Sequence, residues 1–289
     1  MSAILIDGKA IAATLREALS RRVTELRQQG TVPRLAAILI GDDPAALSYA
    51  ASQEKSAAVV GIEYLLVRLD AGISQQVARD AIDKFNRDVS IHGVMLHLPV
   101  PRPLDGFALQ QLIAAEKDVE GVGATNLGLL AMGRLALAPC TAAAAFECCN
   151  STGVEIAGKH AVVVGRSTIV GKPLAMLLLA ANATVTQCHT GTRDLASHTR
   201  RADILFAAAG SQGLIGAEHV APGAIVIDVG TNRVPLNDGT GKTKMVGDVR
   251  FDEVKEVSSY LTPVPGGVGP VTVAMLLTNT IASAEAAIV

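Results

Sequence analysis

AVVVGRSTIVGKP, residues 161–173, runs an apolar segment into Gly165 and reaches a second glycine, Gly171, where a helical pattern begins. A strand that ends in glycine and turns into a helix leaves free N–H groups and the positive end of a helix dipole facing outward. Without a Cβ the backbone can also come close to an anionic phosphate. The spacing is G-x-x-x-x-x-G and not G-x-G-x-x-G, so on its own it also fits a plain strand-to-helix turn. The strand His160–Val164 leads in, a helix over about 171–181 follows, and then come strand Thr184–Gln187, a short helix, and strands Asp203–Ala208 and Ala224–Val229. That order is the order of a dinucleotide-binding half built on a parallel sheet.

Upstream, Leu15, Leu19, Val23 and Leu26 follow Ile11 at helical spacing, and Gly30 stops the pattern. Strand Leu35–Ile40, a helix over about 44–60 ended by Gly61, strand Glu63–Leu69, a helix over about 74–87, strand Gly93–Leu98 and a helix over about 105–115 come next. The N-terminal half is therefore α/β as well. Downstream, NDGTGK (237–242), between Thr231 and Val246, reads as a hairpin or irregular loop, and Val271–Ala287 as a final helix. Pattern places the domain boundary near 140–150, with no repeat or long linker to mark it.

The composition agrees with two folded domains. The chain has 289 residues, against roughly 150 per domain. With 49% hydrophobic and 18% charged residues and a net charge of -2, it is not a disordered chain. Aromatics at 3%, no Trp, and 25 basic against 27 acidic residues supply neither a basic stripe nor stacking rings, which argues against nucleic acid. No apolar run approaches the 18 or so residues of a membrane span, and MSAILIDGK carries charge before any signal-peptide core could develop, so a soluble cytoplasmic protein is expected. Cys140, Cys148, Cys149 and Cys188 lack zinc-site spacing and read as reduced structural thiols; no metal is expected.

The strand after the glycine turn bears on the cofactor. An NAD site usually places a carboxylate at that strand end for the ribose 2′-hydroxyl, whereas Cys188-His189-Thr190-Gly191-Thr192-Arg193 offers none before Asp194. Arg166 and Arg193 offer positive charge suited to a 2′-phosphate, which favours NADP; two solvated surface arginines are the plainer alternative. TPVPGGVGPVT (262–272) gathers three prolines and three glycines before the last helix, as a rigid, closely approached loop or an ordinary turn would.

Together these pieces resemble the methylenetetrahydrofolate dehydrogenase/cyclohydrolase family over nearly the whole chain. GRSTIVGKP (165–173) and TPVPGGVGP (262–270) match its two most specific motifs, and GAIVIDVGTNR (223–233), VGD (246–248) and the Tyr49 segment follow in its order and spacing. The resemblance implies an α/β fold of two domains, residues 1–145 with 271–289 binding folate and 146–270 forming a Rossmann-like NADP domain, with the C-terminal helix returning to the first. It also implies folate in the cleft between the domains and a homodimer in one-carbon metabolism. Gly165, Arg166, Ser167, Val170, Gly171, Pro173, Thr190, Arg193 and Thr231 are the expected cofactor residues. Tyr49, Leu98, Pro99, Glu120, Pro265, Gly266 and Gly267 are the expected substrate residues, with Pro101 and Val264 shaping the same walls and Asp118 serving loop structure.

The family's active-site set is Tyr, then Lys four residues on, then Gln in G-x-x-x-Q-L-P, then Asp-Val-Asp-Gly. This chain keeps Tyr49 but has Gln53, His97 and Glu120 at the other three positions. Lys55 lies about 240° around a helix from Tyr49, whereas Gln53 shares its face, so Lys55 does not replace the missing amine. In the family, a hydride first leaves the one-carbon bridge of the folate, a step that needs alignment and no acid or base. Water then opens the resulting cation, which does need proton transfer. An amide does not titrate near neutrality. The sequence therefore favours an NADP-dependent dehydrogenase with weak or lost cyclohydrolase activity, with Tyr49, Gln53, His97 and Glu120 as the catalytic set. Three alternatives remain: a bifunctional enzyme using His97 for proton transfer, a catalytically silent folate- and NADP-binding protein, and an oxidoreductase acting on another substrate.

Overall fold

A computed structural model describes residues 2–134, 137–236 and 242–288. In chain order the elements of the first stretch are β1 (Ile4–Leu5), α1 (Gly8–Gln28), β2 (Arg34–Ile40), α2 (Pro44–Val60), β3 (Glu63–Leu69), α3 (Gln75–Arg87), β4 (Gly93–Leu96), α4 (Gly106–Gln110) and α5 (Ala124–Ala131). The remainder holds α6 (Cys140–Asn150), β5 (His160–Val164), α7 (Gly171–Ala180), β6 (Thr184–Cys188), α8 (Leu195–Thr199), β7 (Ile204–Ala207), β8 (Ile225–Asp228), β9 (Asn232–Pro235), β10 (Thr243–Val246), α9 (Phe251–Val254), β11 (Tyr260–Leu261) and α10 (Val268–Ala286). The chain divides into two compact units, Ala13–Cys140 with Val273–Val289, and Met1–Ala12 with Thr141–Thr272.

In the first of these units β2 lies between β3 and β4 in a parallel three-stranded sheet. Residues Leu35 to Ile40 of β2 are all buried, as a strand covered on both faces must be. One face carries Ala36, Ile38 and Ile40 against Ile82 and Phe85 of α3; the other carries Leu35 and Ala37 in a cluster with Leu19, Val23 and Leu26 of α1. That second cluster also takes Leu276, Leu277, Ile281 and Ala284 from α10, so the C-terminal helix returns to this unit. Arg22 clamps α10 through two bonds to Glu285, Nε to Oε1 at 2.9 Å and Nη2 to Oε2 at 2.6 Å. Asn279 Nδ2 donates to the carbonyls of Val119 and Ala138. Helix α2 has its ends set by sequence: Asp43 accepts from Ala46 N–H at 2.8 Å, Pro44 opens the first turn, and Gly61 closes it with φ 88°.

The other unit is a six-stranded parallel sheet in the order β1-β11-β8-β7-β5-β6, with β9 and β10 forming a separate antiparallel pair. Strand β5 has β6 on one side and β7 on the other, so successive crossovers leave it in opposite directions. A crevice opens at the carboxyl ends of the strands at such a point.

Several boundaries differ from the expected ones. The helix expected over 105–115 is only Gly106–Gln110, and the strand expected to reach Leu98 ends at Leu96, although His97 N–H still donates to Ile38 C=O at 2.9 Å. Helices α5 and α6 occupy the Ala-rich stretch whose apolar residues show no clear period. Residues 1–12 group with the six-stranded sheet and not with 13–140, because Ile4 and Leu5 pair in parallel with Tyr260 and Leu261. Two-residue strands have no alternation to read. Of the NDGTGK segment, residues 237–241 lie outside the described residues; β9 and β10 flank it in antiparallel register.

Candidate active site

In the unit of residues 13–140, four side chains converge, His97 from the carboxyl end of the sheet and Tyr64 from near the start of β3. Tyr49 and Gln53 stand one turn apart on α2, Tyr64 projects from β3, and His97 follows β4. Gln53 is 1% exposed and His97 6%, whereas Tyr49 is 44% exposed. Tyr64 Oη donates to Gln53 Oε1 at 2.9 Å and lies 3.5 Å from His97 Nε2. The rings of Tyr49 and His97 meet edge to face, 6.3 Å between centroids and 90° between planes. Burial holds the His97 imidazole below its ordinary value, and so favours the neutral base. Desolvation pushes the Tyr49 hydroxyl up to about 12, with the Gln53 hydrogen bond acting in the opposite sense.

Glu120 is held by Gln110, whose Nε2 donates to Oε2 at 3.3 Å. Burial, and then the like charge of Asp118, push its carboxyl up to about 7. At neutral pH such a group is poised between acceptor and donor. Asp118 is committed elsewhere: it accepts from the N–H groups of Gly121 and Gly123 and from Asn126 Nδ2 at 3.1, 2.7 and 3.1 Å, and so clips the loop that carries Glu120. Leu98 and Pro99 are exposed beyond His97.

In the other unit, Gly165, Arg166 and Ser167 line a depression of about 470 Å³ together with Thr190, Thr192 and Ala208–Ala209. A Cβ on Gly165 would stand 2.1 Å from the Ala208 carbonyl oxygen, and one on Gly171 2.3 Å from the Gly165 carbonyl oxygen. Only glycine lets β5 turn at the crevice beside β7. Ser167 Oγ accepts from the N–H groups of Val170 and Gly171 at the start of α7. Gly171 and Pro173 are buried in α7, and Val170 is partly buried at its start. None of the three lines the depression; they shape the turn behind it. Arg193 is exposed and follows the lining residue Thr192 without lining the depression itself. The close backbone at Gly165 and the Arg166 cation suit a dinucleotide phosphate.

A second depression, of about 260 Å³, is lined by Lys9, Asp228–Thr231, Met245 and Pro263–Pro270. Thr231, Pro265, Gly266 and Gly267 meet there. A Cβ on Gly8 would lie 1.7 Å from the Gly267 carbonyl oxygen and one on Gly267 2.6 Å from that of Pro263, so this loop tolerates no side chain on either glycine. Two buried aspartates order these loops, Asp228 lining the second depression and Asp248 holding residues that line the first. Asp248 accepts from the N–H groups of Ala209, Gly210 and Ser211 at 2.7, 2.9 and 2.8 Å and from Asn232 Nδ2 at 2.9 Å. Asp228 accepts from the N–H groups of Gly230, Asp248 and Val249. Burial nevertheless pushes Asp228 up to about 6.

Tyr64, Gln110, Asp228 and Asp248 were not expected as site residues. Tyr64 occupies a strand position that sequence reads as half-buried packing, and the roles of the two aspartates depend on loops distant in sequence. Among the described residues no group of three or more His, Cys, Asp or Glu side chains is placed to hold a metal ion. Nor is any helix there long and apolar enough to cross a membrane. The four cysteines are free and buried.

Two family models match the chain: the catalytic domain of tetrahydrofolate dehydrogenase/cyclohydrolase over residues 6–120 and its NAD(P)-binding domain over residues 139–288. The bifunctional protein FolD of Geobacillus thermodenitrificans is 49% identical over 285 residues, 99% of this chain and 98% of that protein. The crystal structure of the bifunctional methylenetetrahydrofolate dehydrogenase/cyclohydrolase of Campylobacter jejuni superposes with a TM-score of 0.93 at 41% identity, covering 99% of each chain. That of Trypanosoma brucei, complexed with NADP and an inhibitor, also gives 0.93, at 38% identity over 100% of this chain and 99% of the other.

Proposed function

Because this chain belongs to the tetrahydrofolate dehydrogenase/cyclohydrolase family, we propose that it is an NADP-dependent 5,10-methylenetetrahydrofolate dehydrogenase that also hydrolyses its methenyl product, with His97 moving the proton. The observation that carries this reading is the imidazole itself: a neutral titratable ring, 6% exposed, standing at the family's glutamine position against Tyr49, Tyr64 and Gln53, the last of which replaces the family's amine. The bifunctional relatives favour this alternative over the loss of hydrolysis that Gln53 alone suggests.

Bound NADP would supply the acceptor for a hydride; Gly165, Arg166, Ser167 and Thr190 would hold its phosphates and sugar, and Asp248 would keep the facing backbone in place. Tyr49 orients the folate ring, Leu98 and Pro99 shape its wall, and Glu120 accepts from the N–H donors of the pterin when ionised. Hydride loss leaves the substrate's one-carbon bridge as a cation shared by two nitrogens, and no protein group needs to move a proton for it. For hydrolysis, water adds its oxygen to that carbon and gives a proton to His97. The bond to one nitrogen breaks, that nitrogen takes a proton, and the formyl product leaves.

The purified chain should form NADPH from methylenetetrahydrofolate, prefer NADP to NAD, and hydrolyse methenyltetrahydrofolate without nucleotide well above the buffer rate. Hydrolysis at the buffer rate, with NADPH formation intact, would restore the dehydrogenase-only reading that Gln53 favours. Binding of both ligands without NADPH formation would make it a silent binding protein. The proposal includes a cytoplasmic homodimer, for which cell fractionation and sedimentation equilibrium are the tests.

A further inference from the structure

Tyr64 presents one hydroxyl proton to two acceptors, Gln53 Oε1 at 2.9 Å and His97 Nε2 at 3.5 Å. The nearer takes it. Gln53 is 1% exposed, too buried to turn its amide to solvent. The Tyr64 oxygen then shows His97 only lone pairs. A bare Nε2 would meet them lone pair to lone pair, whereas an Nε2–H would donate. The other ring nitrogen, Nδ1, has no hydrogen-bond partner among the described residues.

We infer that Tyr64 is a positioning residue that, held by Gln53, fixes His97 as the Nε2–H tautomer and leaves Nδ1 as the atom that accepts the proton. The inference rests on the proposed role of His97 and extends it to a particular nitrogen. The groups facing the imidazole are Tyr49 and Gln53 from α2 and Tyr64 from β3; both phenols are raised and stay neutral, and no charged group contributes to the shift at His97. When Nδ1 takes a proton, Nε2–H becomes a charged donor to Tyr64, and that bond strengthens and shortens. Tyr64 therefore acts on basicity as well as on orientation.

The test uses the full chain with 15N-labelled histidine, the His97 signals being assigned among the six histidines by their absence in His97→Gln. Above its titration, His97 is expected to show a protonated Nε2 and a bare Nδ1. Tyr64→Phe, which removes only the oxygen, should bring the second tautomer to a comparable population and move the acid limb of the hydrolysis pH profile to lower pH. It should also cut hydrolysis relative to dehydrogenation by about tenfold, the worth of one hydrogen bond to a charged group. Gln53→Met frees the Tyr64 proton to turn to Nε2 and should invert the tautomer. Should Tyr64→Phe not fold, the wild-type and Gln53→Met spectra decide. A bare Nε2 in the wild type, or an unchanged tautomer in the variants, overturns the inference. Full hydrolysis by His97→Gln together with the expected tautomers would instead overturn the proposed function and leave the tautomer assignment standing.

Discussion

Replacing Glu120 by Gln should make the stability of the protein less dependent on pH, by an amount that follows from the carboxyl's surroundings. Burial and Asp118 raise Glu120 from 4.5 to about 7. At about 1.4 kcal/mol per unit, that is roughly 3 kcal/mol of folded-state preference for the neutral acid, an upper figure because the group keeps some access to water. The folded value lies above the unfolded one, so this stability is fully present below pH 4.5 and is lost as pH rises through 7. The amide introduced by Glu120→Gln has nothing to titrate and keeps the Gln110 contact through its own carbonyl. The assay is urea unfolding followed by tyrosine fluorescence; the chain has no Trp and three tyrosines. Two of these, Tyr49 and Tyr64, lie in the same unit as Glu120. Wild type minus Glu120→Gln, compared between pH 5 and pH 8, cancels the titrations of His97 and Asp228. The double difference should be about 2–3 kcal/mol, with wild type losing more on the alkaline side. A double difference within about 0.5 kcal/mol of zero would refute the buried-carboxyl account.

The same group links pH to ligand: affinity for a tetrahydrofolate analogue should fall below pH 7, approaching tenfold per unit, and Glu120→Gln should abolish the slope in calorimetric titrations. Asp248→Asn puts an NH₂ where Ala209, Gly210 or Ser211 N–H groups now donate. At roughly 1–3 kcal/mol for each unsatisfied group, KM for NADP should rise at least tenfold in steady-state kinetics, with a smaller change in kcat. Gly165→Ala places a methyl 2.1 Å from the Ala208 carbonyl oxygen at φ +136° and should cost at least about 2 kcal/mol of dinucleotide affinity, measured by fluorescence titration with NADPH.

Legibility in the sequence tracked the range of the interaction. Helix α2, with Asp43 and Pro44 at one end and Gly61 at the other, is read from adjacent residues, and the turn Gly165–Gly171 likewise. Tyr49 and Gln53 fall on one face by spacing alone, and the structure has them side by side. Tyr64 was not legible because its partner Gln53 is on a different element, and β1 was not because two residues carry no period. The aspartate pair is a further case: Asp248 pins Ala209–Ser211 from the far side of a hairpin, so no local window contains both ends of the interaction.

His97 is proposed to do with an imidazole the proton work that an amine would do. Nucleotide-free hydrolysis of methenyltetrahydrofolate by wild type and His97→Gln, normalised to the dehydrogenase rate of the same preparations, tests it most directly. The account predicts a fall of about 10²–10⁴ in that ratio, the usual worth of a positioned general base. An unchanged ratio would contradict it.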